Sequence, residues 1–118
     1  CWSDPIPKTP AGRLVEQDKV LVIAHRGDSK AAPENTLPAF ESAVRVGCDL
    51  VELDYVHTAD GMPIVIHDET LDRTTDADDK WSAKKIRVDT KKLTELAELD
   101  AGKWFDPKFE GTRLPTLE

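Results

Sequence analysis

The 118-residue sequence has few of the features that define several classes of protein. Its two cysteines, Cys1 and Cys48, are too few for a disulfide scaffold and lack the paired spacing of a zinc site. No apolar run approaches the roughly 18 residues that a membrane-spanning helix requires. A formal net charge of -7, with lysine and arginine scattered along the chain, disfavours nucleic acid as a partner. What is present, 39% hydrophobic and 33% charged residues, is typical of one globular domain.

The N-terminal residues differ in composition from the rest of the chain. Residues 1–13 are polar and proline-rich, as linkers are, so we expect a tail there and a single domain over residues 14–118. Cys1 has two interpretations. In the first, it is the lipid-bearing first residue of a processed bacterial lipoprotein, which implies the periplasm or cell envelope. In the second, it is an arbitrary chain boundary, and a cytoplasmic location is then also compatible with the sequence.

The apolar pattern predicts a strand, a helix and a second strand in succession. Residues 19–25 (KVLVIAH) form a β-branched run, typical of a parallel strand buried on both faces. Residues 35–47 (NTLPAFESAVRVG) predict a helix that Asn35 or Thr36 can cap. The predicted apolar face of this helix consists of Leu37, Phe40, Ala43 and Val44. Residues 50–56 (LVELDYV) predict the second strand, and this order is that of the parallel crossover unit of α/β proteins.

Two acidic side chains lie in the second predicted strand. Glu52 and Asp54 are two residues apart, so on a strand both project to the same face. Neighbouring carboxylates repel one another and are costly to bury unless a cation or a proton lies between them. A hard divalent cation, calcium or magnesium, prefers such oxygen ligands. The alternative is that both acids reach solvent at an exposed edge, and the spacing by itself leaves both interpretations open.

Two histidines are predicted to join these acids. His25 ends the first strand, and a turn at Asp60-Gly61 returns the chain through MPIVIH, so that His67 lies near the two carboxylates. Imidazole titrates near neutral pH, so a histidine pair suits phosphoryl chemistry, in which one group accepts a proton or attacks and the other protonates the leaving oxygen. A single histidine is more often structural. The combination with two acids favours a catalytic site.

Arg26 follows His25 directly and adds a phosphate-binding group to the predicted site. A guanidinium group can donate two parallel hydrogen bonds to phosphate oxygens. With the histidine pair and the acids, it predicts a site for a phosphate ester.

A longer set of motifs, in order, resembles the glycerophosphodiester phosphodiesterase family. The similar stretch covers residues 25–75, HRGDSKAAPENTLPAFESAVRVGCDLVELDYVHTADGMPIVIHDETLDRTT, and residues 93–118 look like the family's continuation. The shared motifs are His25-Arg26-Gly27, Pro33 to Thr36, Glu52 with Asp54, Asp60-Gly61, His67-Asp68, and Leu71, Arg73, Thr74 and Thr75. Such an ordered set is far more specific than any one short motif.

The resemblance implies a fold and a set of residue roles. The family fold is a TIM-type (β/α)8 barrel, whose active sites lie at the C-terminal ends of the strands. A complete barrel takes about 250 residues, so residues 14–118 are expected to be its N-terminal part. By resemblance His25 and His67 are the catalytic pair, Arg26 binds the substrate phosphate, and Glu52 and Asp54 bind calcium or magnesium. A third metal-binding carboxylate is expected from a Glu-x-Lys motif beyond Glu118.

The implied reaction is hydrolysis of a small-molecule glycerophosphodiester to glycerol phosphate and an alcohol, catalysed by a phosphoric diester hydrolase with a divalent cation. One alternative is a phospholipase D-type action on lysophospholipid or sphingomyelin. Another is a non-catalytic binding module that keeps the fold. The headgroup, the cation, the division of acid and base roles between the histidines, and the oligomeric state are left open.

Overall fold

Short helices and strands alternate along residues 9–117, the part of the chain that the computed structural model describes. The helices are α1 (Pro10–Val15), α2 (Leu37–Arg45), α3 (Ala77–Trp81) and α4 (Leu93–Leu96). The strands are β1 (Ile23–His25), β2 (Leu50–Glu52), β3 (Tyr55–His57) and β4 (Pro63–Val65). Two 3-10 turns lie at Val88–Thr90 and Pro107–Phe109. Over the described residues, no helix has the length and apolar character needed to cross a membrane.

The predicted N-terminal tail lies mostly outside the described residues, and Cys1 lies outside them too. Helix α1 begins at Pro10, after Thr9, whose hydroxyl accepts a hydrogen bond from the Gly12 amide at 3.1 Å. This helix crosses the predicted boundary between residues 13 and 14. The division of the chain at that boundary and the interpretation of Cys1 stay predictions.

The predicted strand–helix–strand order is confirmed by β1, α2 and β2. Strands β1 and β2 are parallel neighbours, with Ile23 opposite Leu50 and His25 opposite Glu52. The prediction that the first strand spans residues 19–25 and is buried on both faces is wrong. It spans three residues, and Ile23 is 56% exposed while Ala24 is buried. Within residues 9–117 β1 has one sheet neighbour, so its larger side chains are uncovered.

Helix α2 forms where it was predicted, but only part of the predicted apolar face is buried. Its buried side chains are those of Ala39, Ser42 and Ala43, whereas Leu37 and Val44 are exposed. Close packing of the loop after β1 favours a small residue at Ala39. A Cβ atom on Gly27 would lie 2.8 Å from Ala39, so the loop runs directly across the helix. Neither predicted cap forms. The Thr36 hydroxyl donates to the Pro33 carbonyl, and the Asn35 side chain binds Asp54.

The strand predicted over residues 50–56 is interrupted. Strand β2 ends at Glu52 and β3 begins at Tyr55, so the alternation that would align Glu52 with Asp54 does not hold. Strands β3 and β4 then pair antiparallel, with Val56 opposite Ile64. The turn between them is at the predicted Asp60-Gly61, and Gly61 takes a φ of 80°, which suits glycine.

A hydrophobic core lies in the second half of the chain. Its buried members come from β4, α3, α4 and the segments between and after them, and they are Ile64, Ile66, Leu71, Ala77, Val88, Leu96, Leu99, Ala101 and Leu114. Val56, Trp81, Ile86 and Leu93 pack against them. Short elements and loops, not long helices or strands, supply most of this core. Strand β4 packs in the core, and the chain continues from β4 towards His67.

Candidate active site

Two of the predicted site residues, His25 and Glu52, lie side by side at the carboxyl ends of parallel strands. His25 is the last residue of β1, Glu52 is the last residue of β2, and the two are register partners. The Oε2 atom of Glu52 accepts a hydrogen bond from the backbone amide of Arg26 at 3.0 Å. Parallel pairing therefore brings these two residues to the edge at which active sites of α/β barrels lie.

The backbone turns sharply immediately after β1. Arg26 has a φ of 59° and Gly27 a φ of 78°, so two successive residues take the left-handed conformation. This conformation is costly for a residue with a side chain, and it persists where surrounding contacts impose it. Here the Arg26 carbonyl accepts from the Asn35 amide at 3.0 Å. The turn directs the Arg26 side chain to the carboxylates described next.

The guanidinium group of Arg26 lies between two carboxylates. Its Nη1 donates to Glu34 Oε1 at 3.1 Å, and its Nε lies 3.2 Å from Asp54 Oδ2. The Nε contact is an ion pair without hydrogen-bond geometry, so this buried N–H has no hydrogen-bond acceptor among residues 9–117. The Nη2 group likewise makes no hydrogen bond within this part of the chain, so Arg26 retains donors for a further anion.

Asn35 explains both the interrupted strand and the position of Asp54. Its Nδ2 donates to Asp54 Oδ2 at 3.1 Å, and its Oδ1 accepts from the Asp54 amide at 3.2 Å. The Asp54 carbonyl accepts from the amide of Ile66, which directly precedes His67. Asn35 is buried, and it takes the place of a strand neighbour for Asp54. These bonds from Asn35 hold Asp54 beside Arg26, a position that the alternation of side chains along a strand does not predict.

His67 follows β4 and is exposed, with its ring oriented by the adjacent carboxylate. Its Nδ1 lies 2.6 Å from Asp68 Oδ1. An ionised carboxylate only accepts, so this contact assigns the proton to Nδ1 and leaves Nε2 as the free nitrogen of a neutral ring. Ring orientation by a carboxylate at one nitrogen is the arrangement that a histidine needs for proton transfer at the other.

Arg73 joins the two sides of the site. Its guanidinium group makes four hydrogen bonds, two to Glu34 at 3.0 and 2.8 Å and two to Asp68 at 2.7 and 2.9 Å. These contacts link the segment after β1 to the segment after β4, 39 residues apart for Arg73 and Glu34. Arg26 and Arg73 thus share the carboxylate of Glu34.

The charges of this network reinforce one another. The hydrogen bond from Arg73 is the largest influence on Glu34 and holds the pKa of its carboxyl below the usual value despite burial. The Arg73 bond, followed by that from His67, also lowers the pKa of Asp68. In return Glu34, and then Asp68, raise the pKa of Arg73. Both carboxylates are therefore ionised and Arg73 is charged at neutral pH.

The donor set is suited to a hard cation. Glu52 Oε1 and Asp54 Oδ1 receive no hydrogen bond from any residue between 9 and 117, so each carboxylate has an oxygen available. The cluster contains four carboxylates and two guanidinium groups, which leaves two formal negative charges in excess when the histidines are neutral. Within the described residues, however, no group of three or more acidic, histidine or cysteine side chains could hold a metal ion. Glu52 and Asp54 therefore fit as part of a ligand set.

Four residues of this network were not predicted to belong to the site. They are Glu34, Asn35, Asp68 and Arg73, and all four lie within the motifs that carry the family resemblance. The signal was thus present, since motif residues outside the predicted reaction chemistry are candidates for holding the others in place. Their contacts join segments distant in the sequence, which spacing alone does not reveal.

Solved structures with the same local architecture are α/β barrel phosphodiesterases. A crystal structure of a glycerophosphodiester phosphodiesterase from Agrobacterium tumefaciens aligns with a TM-score of 0.75 and 42% identity, covering 84% of this chain and 40% of that one. A phosphodiesterase from Oleispira antarctica, in complex with the product sn-glycerol-3-phosphate, aligns with a TM-score of 0.74 and 40% identity, covering 83% and 37%. The predicted fold class is confirmed: the chain is part of a TIM-type barrel, with no closed barrel over residues 9–117.

Sequence comparisons narrow this class further. Residues 25–118 match the model of the glycerophosphoryl diester phosphodiesterase family. A glycerophosphodiester phosphodiesterase from Caldanaerobacter subterraneus is 52% identical over 99 residues, which are 84% of this chain and 38% of that protein. One from Bacillus subtilis is 39% identical over 122 residues, covering 97% and 39%. The chain belongs to the glycerophosphoryl diester phosphodiesterase family, and it spans about two fifths of the length of these relatives.

Proposed function

We propose that the protein containing these residues hydrolyses glycerophosphodiesters to glycerol phosphate and an alcohol. The observation that carries the proposal is the pairing of His25 with Glu52 at the carboxyl ends of adjacent parallel strands, with Arg26 and Asp54 beside them. The names of the relatives, and the product complex of the Oleispira antarctica enzyme, support the same substrate class. The substrate is a small phosphodiester, and glycerophosphocholine is a suitable first test compound.

Glu52 and Asp54 are the residues that would hold a divalent cation, and members of the family depend on a metal. The excess of negative charge in the cluster supports this assignment, because a phosphodiester anion would otherwise be repelled. A bound cation would supply charge stabilisation to the phosphoryl oxygens. A further carboxylate from outside residues 9–117 would complete the ligand set, as the resemblance implies.

The remaining roles follow from the chemistry of the side chains. Arg26 would donate its free Nη2 group to a phosphoryl oxygen, while Glu34 holds the other end of the guanidinium group. His25 and His67 would divide proton transfer, one accepting a proton or attacking and the other protonating the leaving alcohol oxygen. The Asp68 carboxylate at Nδ1 stabilises a positive charge that develops on the His67 ring.

The test is release of glycerol phosphate from glycerophosphocholine by the natural full-length protein. We expect activity that is lost on chelation and returns with calcium or with magnesium. His67→Ala should abolish most of it, whereas His57→Ala is the matched control, because His57 is exposed at the end of β3 and packs edge-on against Tyr55. No release with any cation would contradict the proposal. Sphingomyelin and lysophosphatidylcholine, tested in parallel, would identify the substrate class in that event.

A further inference from the structure

Arg73 holds together two carboxylates that would otherwise repel each other. Its fork donates twice to Glu34 and twice to Asp68, with donor–acceptor distances of 2.7 to 3.0 Å. Glu34 has a side chain 15% exposed and Asp68 one 26% exposed, so neither is fully hydrated. A planar guanidinium group can satisfy two carboxylates at once, while a lysine ammonium group lacks that fixed geometry.

The two carboxylates each contact one predicted functional side chain. Asp68 accepts from Nδ1 of His67 at 2.6 Å, and Glu34 accepts from Nη1 of Arg26 at 3.1 Å. A continuous series of charged contacts therefore runs from the His67 ring through Arg73 to the Arg26 guanidinium group. Its two ends lie on separate segments, one following β4 and the other following β1.

His67 depends on this series for its orientation. The ring is 43% exposed, so packing alone does not fix it. The bidentate bond from Arg73 fixes both oxygens of the adjacent Asp68 carboxylate. Removal of Arg73 would release Asp68, and with it the ring, while the segment after β1 stays held by Asn35 and Asp54.

We propose that Arg73 is a positioning residue, which sets the orientation of the His67 ring through Asp68 and couples it to the Arg26 side chain through Glu34. The expected effect of Arg73 on kcat rests on the proposed hydrolytic function. Its expected effect on the orientation of the His67 ring rests on geometry alone. Arg73 does not touch the reacting atoms in this assignment.

The experiment uses Arg73→Lys and Arg73→Gln in the full-length protein. Arg87 provides the matched control, because it also forms bidentate contacts, with Asp89, and a further bond to Glu69, but bonds neither to Glu34 nor to Asp68 within residues 9–117. Proton NMR of the Nδ1–H of His67, assigned by its loss in His67→Ala, reports ring orientation. Steady-state kinetics with glycerophosphocholine separate kcat from KM.

We expect both Arg73 variants to shift or broaden the His67 Nδ1–H signal and to lower kcat by about 10- to 100-fold, because small misplacements of a reacting group have effects of this size. The Arg87 variants should leave the signal and kcat unchanged. An unchanged signal in a folded Arg73→Lys protein would overturn the proposal, as would a changed signal with unaltered kcat. Inactivity of the unmutated protein would count against the hydrolytic function alone, since the ring signal still tests the coupling.

Discussion

Two regions of the molecule bury different kinds of side chain. The crossover unit, residues 20–52, buries small side chains, chiefly alanines and Pro33, while most of its larger apolar side chains are exposed. These exposed side chains are those of Val20, Val22, Ile23, Leu37, Val44, Val46 and Val51. The closed unit, residues 64–114, instead buries large side chains completely, among them Ile64, Leu71, Leu96 and Leu99.

The difference shows which region depends on other parts of a barrel. Parallel strands in α/β barrels are covered on both faces by neighbouring strands and helices. The crossover unit has the sequence of such strands, but within residues 9–117 only β2 pairs with β1. The closed unit completes its own core from loops and short helices. The candidate active site lies where these two regions meet. Arg73 of the closed unit binds Glu34 of the crossover unit, and Asp54 binds both Asn35 and Ile66.

The largest expected effect tests whether the site needs both regions. His25→Ala alters the crossover unit and His67→Ala alters the closed unit. Each should lower kcat by about 100- to 10,000-fold, the usual contribution of an acid or base in proton transfer. Groups that act as one unit give strongly non-additive losses, so the double variant should be little slower than either single variant.

The test is to measure kcat for the unmutated protein, the two single variants and the double variant. His57→Ala is the control, because it removes a histidine outside the site. Fully additive losses would mean that the two histidines act independently. A loss of kcat confined to His67→Ala would mean that the closed unit alone carries the chemistry, and that catalysis does not require both regions.

Local sequence patterns predicted the features that short-range geometry decides. The order of β1, α2 and β2 follows from apolar periodicity, and the turn at Gly61 follows from turn chemistry. The position of His25 at the end of β1 follows from the end of the apolar run. These parts of the fold and the site were therefore accessible from the sequence.

Long-range contacts decide the features that the patterns missed. The strand ends at Glu52 because Asn35, 19 residues before Asp54, binds the backbone and side chain of Asp54. Periodicity also predicted Leu37 and Val44 of α2 as buried, whereas they are exposed, and it did not predict the burial of Ala39, against which the loop at Gly27 packs. Propensity scales contain no information about such neighbours.

The next effect concerns stability and sharpens the contrast between the units. In the 118-residue chain, Leu99→Ala should lower the free energy of unfolding by about 2 to 5 kcal/mol, because it leaves a cavity in the closed unit. Ile23→Ala should change it by less than about 0.5 kcal/mol, because that side chain is 56% exposed. Urea unfolding of the two variants measures both values.

The same pair in the full-length protein provides the control. There the Ile23 variant should become more costly, because the rest of a barrel would cover that strand, while the cost of Leu99→Ala should stay the same. Equal costs for the two variants in the 118-residue chain would contradict the division into a dependent and a self-sufficient region.

The smallest effect concerns the ion pairs that join the two units, and it depends on pH. Arg73→Gln should lower the free energy of unfolding of the full-length protein by about 1 kcal/mol at pH 7, a value reduced for the exposure of the Arg73 side chain. The pKa values of Glu34 and Asp68 are lowered in the folded state, chiefly by hydrogen bonds from Arg73. Their stabilising contribution is therefore complete above the unfolded-state pKa values, near pH 4, and is lost as the pH falls through the folded-state values.

The stability difference between the unmutated protein and Arg73→Gln should accordingly shrink as the pH is lowered from 6 towards 2. Arg87→Gln should give a smaller difference at every pH, because Glu69 and Asp89 are more exposed than Glu34 and Asp68. Urea unfolding at several pH values measures both series. A difference for Arg73→Gln that stays constant with pH would mean that Arg73 stabilises the junction by packing its aliphatic chain, and that the charges of Glu34 and Asp68 contribute little to holding the two units together.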